Sequence, residues 1–309
     1  MSSDVCRILS LDGGGAKGFY SLGVLREVEA ILPQPIHETF DLIFGTSTGS
    51  IIATLLATGL SVDEIHKLYC EYVPPIMRAS GKAAKTERLR ETGAKVFGDA
   101  SFDTALTGLG IVSTKWQLET PMIFKSKETQ AHGRRATFIP GFGCKLADAI
   151  EASCSAFPFF EIKTLETTSG DIVELFDGGY CANNPSLYAL ADATVALGYA
   201  PENCRLLSLG CGQYPEPKRG FIARRINSFL PVQLLQKTLE VNTASMDQLR
   251  RLLYANVPTV RISDTFDKPE MATDMFEFNP RKLNLLRQQG VESFARREDD
   301  VRELLLSKG

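Results

Sequence analysis

The sequence predicts an α/β fold, and three stretches carry that prediction. Residues 40–60, FDLIFGTSTGSIIATLLATGL, read as a buried strand, a glycine-flanked turn and a helix, because a short apolar run bounded by glycine suits a strand and a longer one suits a helix. Residues 5–32 repeat the pattern: an apolar run broken only by Arg7, a glycine-rich turn, then an amphipathic helix with Leu22, Leu25, Val28 and Leu32 on one side. Residues 205–209, RLLSL, stop at Gly210-Cys211-Gly212 and read as a further buried strand. Leu235, Leu239, Met246, Leu249 and Leu253 then keep a helical period, as Leu286, Phe294, Val301 and Leu305 do less regularly; such stripes are core packing. No linker, repeat or low-complexity tract divides the chain, so the expectation is one domain over residues 1–309 with helices packed on its C-terminal side.

The unit at 40–60 carries chemistry. Gly45-Thr46-Ser47-Thr48-Gly49 is a G-x-S-x-G match, and a strand before it with a helix after it is the context of a nucleophile elbow. A serine at the apex of so sharp a turn needs small residues on either side, which Gly45 and Gly49 supply. Gly49, Ala53 and Ala57 recur every fourth residue and give the helix a slim face for close packing on a sheet. The helix N-terminus aims its free amides and positive dipole end at Ser47, favouring negative charge there.

Composition narrows the partners. The chain has 309 residues, 44% of them apolar, and a net charge of -3, with a pI near 5.8. That balance gives no overall attraction to a nucleic acid polymer or to anionic lipid, so any membrane contact must be local. The seven cysteines are scattered singly without C-x-x-C pairs, indicating neither a zinc site nor a disulfide framework but reduced thiols. The first fifteen residues lack the basic n-region and long apolar run of a signal peptide, and no stretch reaches bilayer-spanning length. The expected location is therefore the cytoplasm.

In chain order, the first strand is followed by Asp12-Gly13-Gly14-Gly15-Ala16-Lys17-Gly18. A G-x-G-x-x-G that opens a helix after a strand is the dinucleotide fingerprint, which makes a nucleotide-binding signalling module without hydrolysis the rival reading. Such a module ends its second strand in an acid that holds the ribose, whereas this strand begins with Asp41 and ends in Gly45-Thr46-Ser47. A glycine-rich loop also presents unshielded amides to an anion. Gly13, Gly14 and Gly15 are thus placed to hold the oxyanion of an intermediate formed at Ser47, with Lys17 adding positive potential. Residues 78–95 form a basic stretch containing Arg78, Lys82, Lys85, Arg88, Arg90 and Lys95. It reads first as a solvated face or mobile loop, and otherwise as a lid, a lipid-headgroup contact or a docking site for an anionic activator. Residues 111–113 and 137–140 read as short strands or their connections, and 145–156 as a helix. A strand over 172–176 stops at Asp177-Gly178-Gly179, which projects an acid from a sheet edge, and Asn184-Pro185 looks like a helix start.

A serine hydroxyl needs a base. The three histidines are His37, His66 and His132, and none follows Asp177, so the serine–acid–histidine order of the α/β-hydrolases cannot be assembled. A carboxylate acting directly remains. Asp177 is the acid in a glycine-flanked strand-end turn, whereas Asp12 more plausibly fixes the loop by accepting backbone N–H groups. As a base, an aspartate needs desolvation and a serine within hydrogen-bond reach.

Together the three motifs resemble the patatin-like phospholipase family: Asp12 to Gly18, Gly45 to Gly49, and Asp177-Gly178-Gly179 with the following Asn183-Asn184-Pro185. The segment Ala152-Ser-Cys-Ser-Ala-Phe-Pro-Phe-Phe160 resembles the block preceding that family's acid, and the matched region covers roughly residues 8–190. Lys17 stands where many members carry arginine, which keeps the charge but loses a fork of donors. The resemblance implies a three-layer α/β/α sandwich with a mixed, mostly parallel central sheet and extra C-terminal helices. It implies a Ser47–Asp177 dyad, an oxyanion hole at Gly13, Gly14 and Gly15, and support from Asp12, Lys17, Gly18, Gly45, Gly49, Gly178 and Gly179. The implied activity is hydrolysis of acyl esters in phospholipids or neutral lipids, with no metal and no organic cofactor. Some bacterial members of similar size are effectors of anti-phage defence switched on by cyclic oligonucleotides. The resemblance therefore admits a cyclic-nucleotide activator, a homo-oligomer and a peripheral position at the inner membrane face.

Overall fold

The computed structural model describes residues 5–133, 135–215 and 229–307. Its strands are β1 (Cys6–Leu11), β2 (Leu42–Thr46), β3 (Gly108–Lys115), β4 (Pro121–Lys125), β5 (Lys163–Glu166), β6 (Ile172–Asp177), β7 (Cys204–Leu209) and β8 (Thr259–Ile262). The helices are α1 (Gly18–Ile31), α2 (Ile36–Thr39), α3 (Thr48–Ala57), α4 (Val62–Arg78), α5 (Lys82–Phe97), α6 (Leu146–Cys154), α7 (Gly179–Ala182), α8 (Ser186–Ala191), α9 (Phe229–Leu253), α10 (Pro280–Ala295) and α11 (Glu298–Leu306).

All eight strands join one sheet in the order β5-β6-β3-β2-β1-β7-β8, with β4 also on β3. The run β3-β2-β1-β7-β8 is parallel, while β4 and β6 pair antiparallel to β3 and β5 pairs antiparallel to β6. Successive side chains of a strand point to opposite faces, and the central strands are apolar on both. Leu9, Leu11, Ile43, Leu207 and Leu209 join the core beneath α1, α3, α4, α6 and α10. Cys6, Ile8, Leu42, Phe44 and Leu206 pack on Ala189, Leu190 and Ala193 at α8 and just beyond it. A mixed, mostly parallel sheet with helices on both faces is the architecture the sequence predicted. α10 lies close along α1, where a side chain at Gly23 would meet the Arg287 carbonyl oxygen at 2.0 Å and one at Gly290 the Tyr20 carbonyl oxygen at 2.1 Å.

Parallel strands bring their C-terminal ends to one edge, where ligand sites of open α/β sheets lie. Register then places the motifs side by side. Leu11 pairs with Gly45, Thr46 with Val112, and Ser113 with Asp177, so the residues after β1, β2 and β6 share that edge.

The structure differs from the sequence expectations in several elements. β4, β5 and β8 are strands that periodicity did not single out. Residues 135–137 and 140–143 form short 3-10 turns. The basic stretch is helical: α4 runs through Pro74 and Pro75 to Arg78, and α5 takes up the rest.

Candidate active site

The turn after β2 is as sharp as its glycines allow. Ser47 has φ 52 and ψ -125, a conformation with positive φ that a non-glycine residue holds only when its surroundings impose it. A Cβ at Gly45 would lie 2.2 Å from the Gly49 carbonyl oxygen, and one at Gly49 would lie 2.3 Å from that of Leu11. Ser153 pins the apex from α6: its Oγ accepts the Ser47 N–H at 2.9 Å and donates to the Val112 carbonyl at 2.5 Å. Ser47 is 7% exposed.

Asp177 ends β6, and the same α6 segment holds it. Its N–H donates to the Ser155 carbonyl at 3.0 Å, and Gly178 N–H donates to the Ser153 carbonyl at 3.3 Å. Oδ1 accepts the Gly179 N–H at 2.7 Å. Oδ2 is buried without a hydrogen-bond partner among the described residues. With Asp177 only 1% exposed, burial pushes its pKa up to about 6, against the smaller lowering effects of the Gly179 N–H and the Ser47 hydroxyl. The Ser47 hydroxyl is thus near enough to favour the charged carboxylate, while Oδ2 keeps no closed hydrogen bond. Catalytic hydrogen bonds are commonly long before substrate arrives.

The glycine loop comes against the serine from β1: a Cβ at Gly13 would lie 3.2 Å from the Ser47 Cβ. The Gly13 N–H donates to the Asn183 carbonyl at 3.0 Å, and that of Ala16 to the Met275 carbonyl at 2.9 Å. Gly15 has φ 57, and the Gly14 and Gly15 amides have no partner among the described residues. Asp12 is held not by loop amides but by Arg261, which donates to its Oδ2 at 2.5 Å. Lys17 is buried with Nζ 3.7 Å from Glu240.

Each histidine is engaged elsewhere: His37 with Glu38, His66 against Phe19, and His132 with Asp192. None lines the cavity at Ser47. That cavity, about 50 Å³, is apolar and walled by Ile51, Val73, Ile76, Cys154, Phe160 and Phe276 among others. It leads to a second apolar cavity between α4, α5 and α6 that shares Ile51, Val73, Ile76 and Leu89 with it. Among the described residues, no three His, Cys, Asp or Glu side chains cluster as a metal site requires. Ser153, Asn183, Arg261 and Met275 were not read as site residues from sequence, although Ser153 and Asn183 lie in segments that resemble the family.

The family model described as Patatin-like phospholipase matches residues 9–190. The chain belongs to the patatin-like phospholipase family. Among its relatives is the cUMP-AMP-activated phospholipase of Escherichia coli, 58% identical over 99% of this chain and 95% of that one. The cGAMP-activated phospholipase of Escherichia coli strain TW11681 is 30% identical over 60% of this chain and 55% of that protein. Among solved structures, VipD from Legionella pneumophila shares the fold, with a TM-score of 0.50 at 13% identity, covering 97% of this chain and 67% of that one. As a patatin-like phospholipase, the chain is a serine-dependent lipid ester hydrolase.

Proposed function

We propose that this chain cleaves ester-linked fatty acids from phospholipids with a Ser47–Asp177 dyad and is switched on by a cyclic dinucleotide. One observation carries the dyad: a serine in a strained elbow and a desolvated carboxylate sit on neighbouring parts of one sheet edge, beside two amides without partners. Asp177 takes the Ser47 proton as Oγ attacks the ester carbonyl. Its raised pKa brings it nearer to that of a useful base than an exposed aspartate's. Negative charge then develops on the carbonyl oxygen, where the Gly14 and Gly15 amides and the N-terminus of α3 stabilise it. Asp177 returns the proton to the leaving alcohol. Water, deprotonated by the same carboxylate, releases the fatty acid.

The apolar cavities beside Ser47 suit an acyl chain, and the phospholipid membrane is the substrate surface. The cyclic-dinucleotide switch rests on the activators named for the relatives at 58% and 30% identity. Hydrolysis of phospholipid and of short p-nitrophenyl esters, with and without cUMP-AMP, tests the reading. Activity is expected in wild type and in a variant lacking all three histidines, and is expected to vanish in Ser47→Ala and Asp177→Asn. Persistent turnover in either dyad variant, or loss in the folded histidine-free variant, removes the dyad.

A further inference from the structure

Across the glycine loop from Ser47 lies another cavity, of about 240 Å³. Its lining is polar where the Ser47 cavity is apolar: Lys17, Gln236, Glu240, Asp247, Arg251 and Arg261 border it. We propose that this cavity seats one nucleotide of the cyclic dinucleotide, and that its occupancy opens the Ser47 cavity through a wall the two share. The proposal rests on the reading above that such a nucleotide activates the chain.

The ligand class follows from the groups present. Three carboxylates, Asp12, Glu240 and Asp247, and three cations, Lys17, Arg251 and Arg261, line the cavity, which supplies both acceptors for base amino groups and donors for phosphate oxygens. Lys17 Nζ is 3.7 Å from Glu240, beyond hydrogen-bond distance, so its ammonium can turn to a phosphate. Arg251 is an exposed guanidinium anchored at one nitrogen by Asp247 Oδ2 at 2.6 Å, and its remaining donors form the fork that matches phosphate geometry. The Asn183 Oδ1 is buried and has no hydrogen-bond partner among the described residues. The volume lies just below the usual range of small-molecule sites, about 300–1,000 Å³.

The coupling follows from the shared wall. Gly13 and Gly14 line the polar cavity, Gly15 lines the Ser47 cavity, and Met275 lines both. The Met275 carbonyl accepts the Ala16 N–H at 2.9 Å. Asn183 Nδ2 donates to the Gly13 carbonyl at 3.2 Å and to Thr243 Oγ1 at 2.7 Å, which ties α9 to the glycine loop. A ligand that shifts α9 or Met275 therefore moves the Gly14 and Gly15 amides and the roof over Ser47. It favours whichever arrangement it binds more tightly.

The test measures cUMP-AMP binding by calorimetry, together with labelling of Ser47 by a soluble fluorophosphonate. Ala244→Trp places a large ring at the cavity mouth, Arg251→Glu reverses the outer cation, and Gln248→Trp puts the same ring elsewhere on α9. All three positions are exposed, and circular dichroism checks the fold. The first two variants are expected to weaken binding at least tenfold and to shift nucleotide-stimulated labelling to correspondingly higher concentration, whereas Gln248→Trp matches wild type. Wild-type binding in both cavity variants, or equal weakening in Gln248→Trp, overturns the site while leaving hydrolysis and its activation standing. Failure of wild type to bind cUMP-AMP overturns the activator reading and the site with it, without touching the dyad.

Discussion

At the scale of single residues, Asp177 sets function against stability. Its pKa of about 6 in the folded chain lies above the ordinary 3.8, so the fold holds this proton more tightly than the unfolded chain does. The stability it contributes is therefore complete below about pH 4 and is lost as pH rises through about 6. Asp177→Asn removes the buried charge, keeps an oxygen for the Gly179 N–H, and is expected to raise the melting temperature at pH 8 by a few degrees, an effect of up to about 3 kcal/mol. Calorimetry at pH 8 and pH 4 checks this, with the gain shrinking towards pH 4. If the same carboxylate is the base proposed above, kcat/KM rises through about pH 6 and then levels off; a profile flat from pH 5 to 8 contradicts Asp177 as the base. Ser153→Ala takes the acceptor from the Ser47 N–H and the donor from the Val112 carbonyl, and is expected to lower stability by about 1–3 kcal/mol in chemical denaturation. Ser47 and Asp177 were legible in the sequence because each sits in a glycine-flanked turn with its own local signature. The roles of Ser153 and Arg261 were not, because their bonds reach partners 106 and 249 positions away.

At the scale of elements, the segment between β8 and α10 closes the site. Met275 and Phe276 roof the Ser47 cavity together with Met77 of α4, and two cations pin the roof from the other side. The Arg78 guanidinium lies 5.3 Å from the Phe278 ring centre, and Lys85 Nζ lies 5.3 Å from that of Phe276. Lys85 also donates to the Met77 carbonyl at 2.5 Å, capping the end of α4. Each cation–π contact contributes about 0.5–2 kcal/mol depending on its exposure. Removing both in Arg78→Gln/Lys85→Gln is expected to raise nucleotide-independent fluorophosphonate labelling of Ser47 about tenfold; an unchanged rate removes the latch. The basic stretch thus divides by position: Lys95 pairs with Glu71 and Arg88 with Glu91 on a solvated face, Arg90 reaches the buried Glu151, and the first turns reach the roof. Composition had no means of separating the halves, because the partners Phe276 and Phe278 lie far along the chain. The same limit applies to β4, β5 and β8, short strands whose partial burial leaves too few apolar positions to set a period.

At the scale of the whole molecule, the phospholipid reading must reconcile a net charge of -3 with a negatively charged membrane. No helix among the described residues is long and apolar enough to cross a bilayer. On that reading contact is local, and basic and aromatic groups gather at the latch: Arg78 stands over Phe278, which is 42% exposed, Lys85 over Phe276, and Lys82 begins α5. Basic residues near an anionic surface contribute about 1 kcal/mol each, and an aromatic ring settles at the headgroup level. Reversing all three in Arg78→Glu/Lys82→Glu/Lys85→Glu is expected to lower binding to phosphatidylglycerol vesicles at least a hundredfold and to leave the weak binding to phosphatidylcholine vesicles unchanged. Flotation with the Ser47→Ala background, which preserves the lipid, measures this in the presence of cUMP-AMP. Binding of the parent is also expected to fall between 0.1 M and 1 M salt, as the screening length drops from about 10 Å to about 3 Å. Because fluorophosphonate labelling needs no vesicle, the two readouts separate the roles of these cations: charge removal frees the roof in solution and weakens docking on lipid. Equal binding to anionic vesicles by the parent and the reversed variant places membrane contact on another face of the protein.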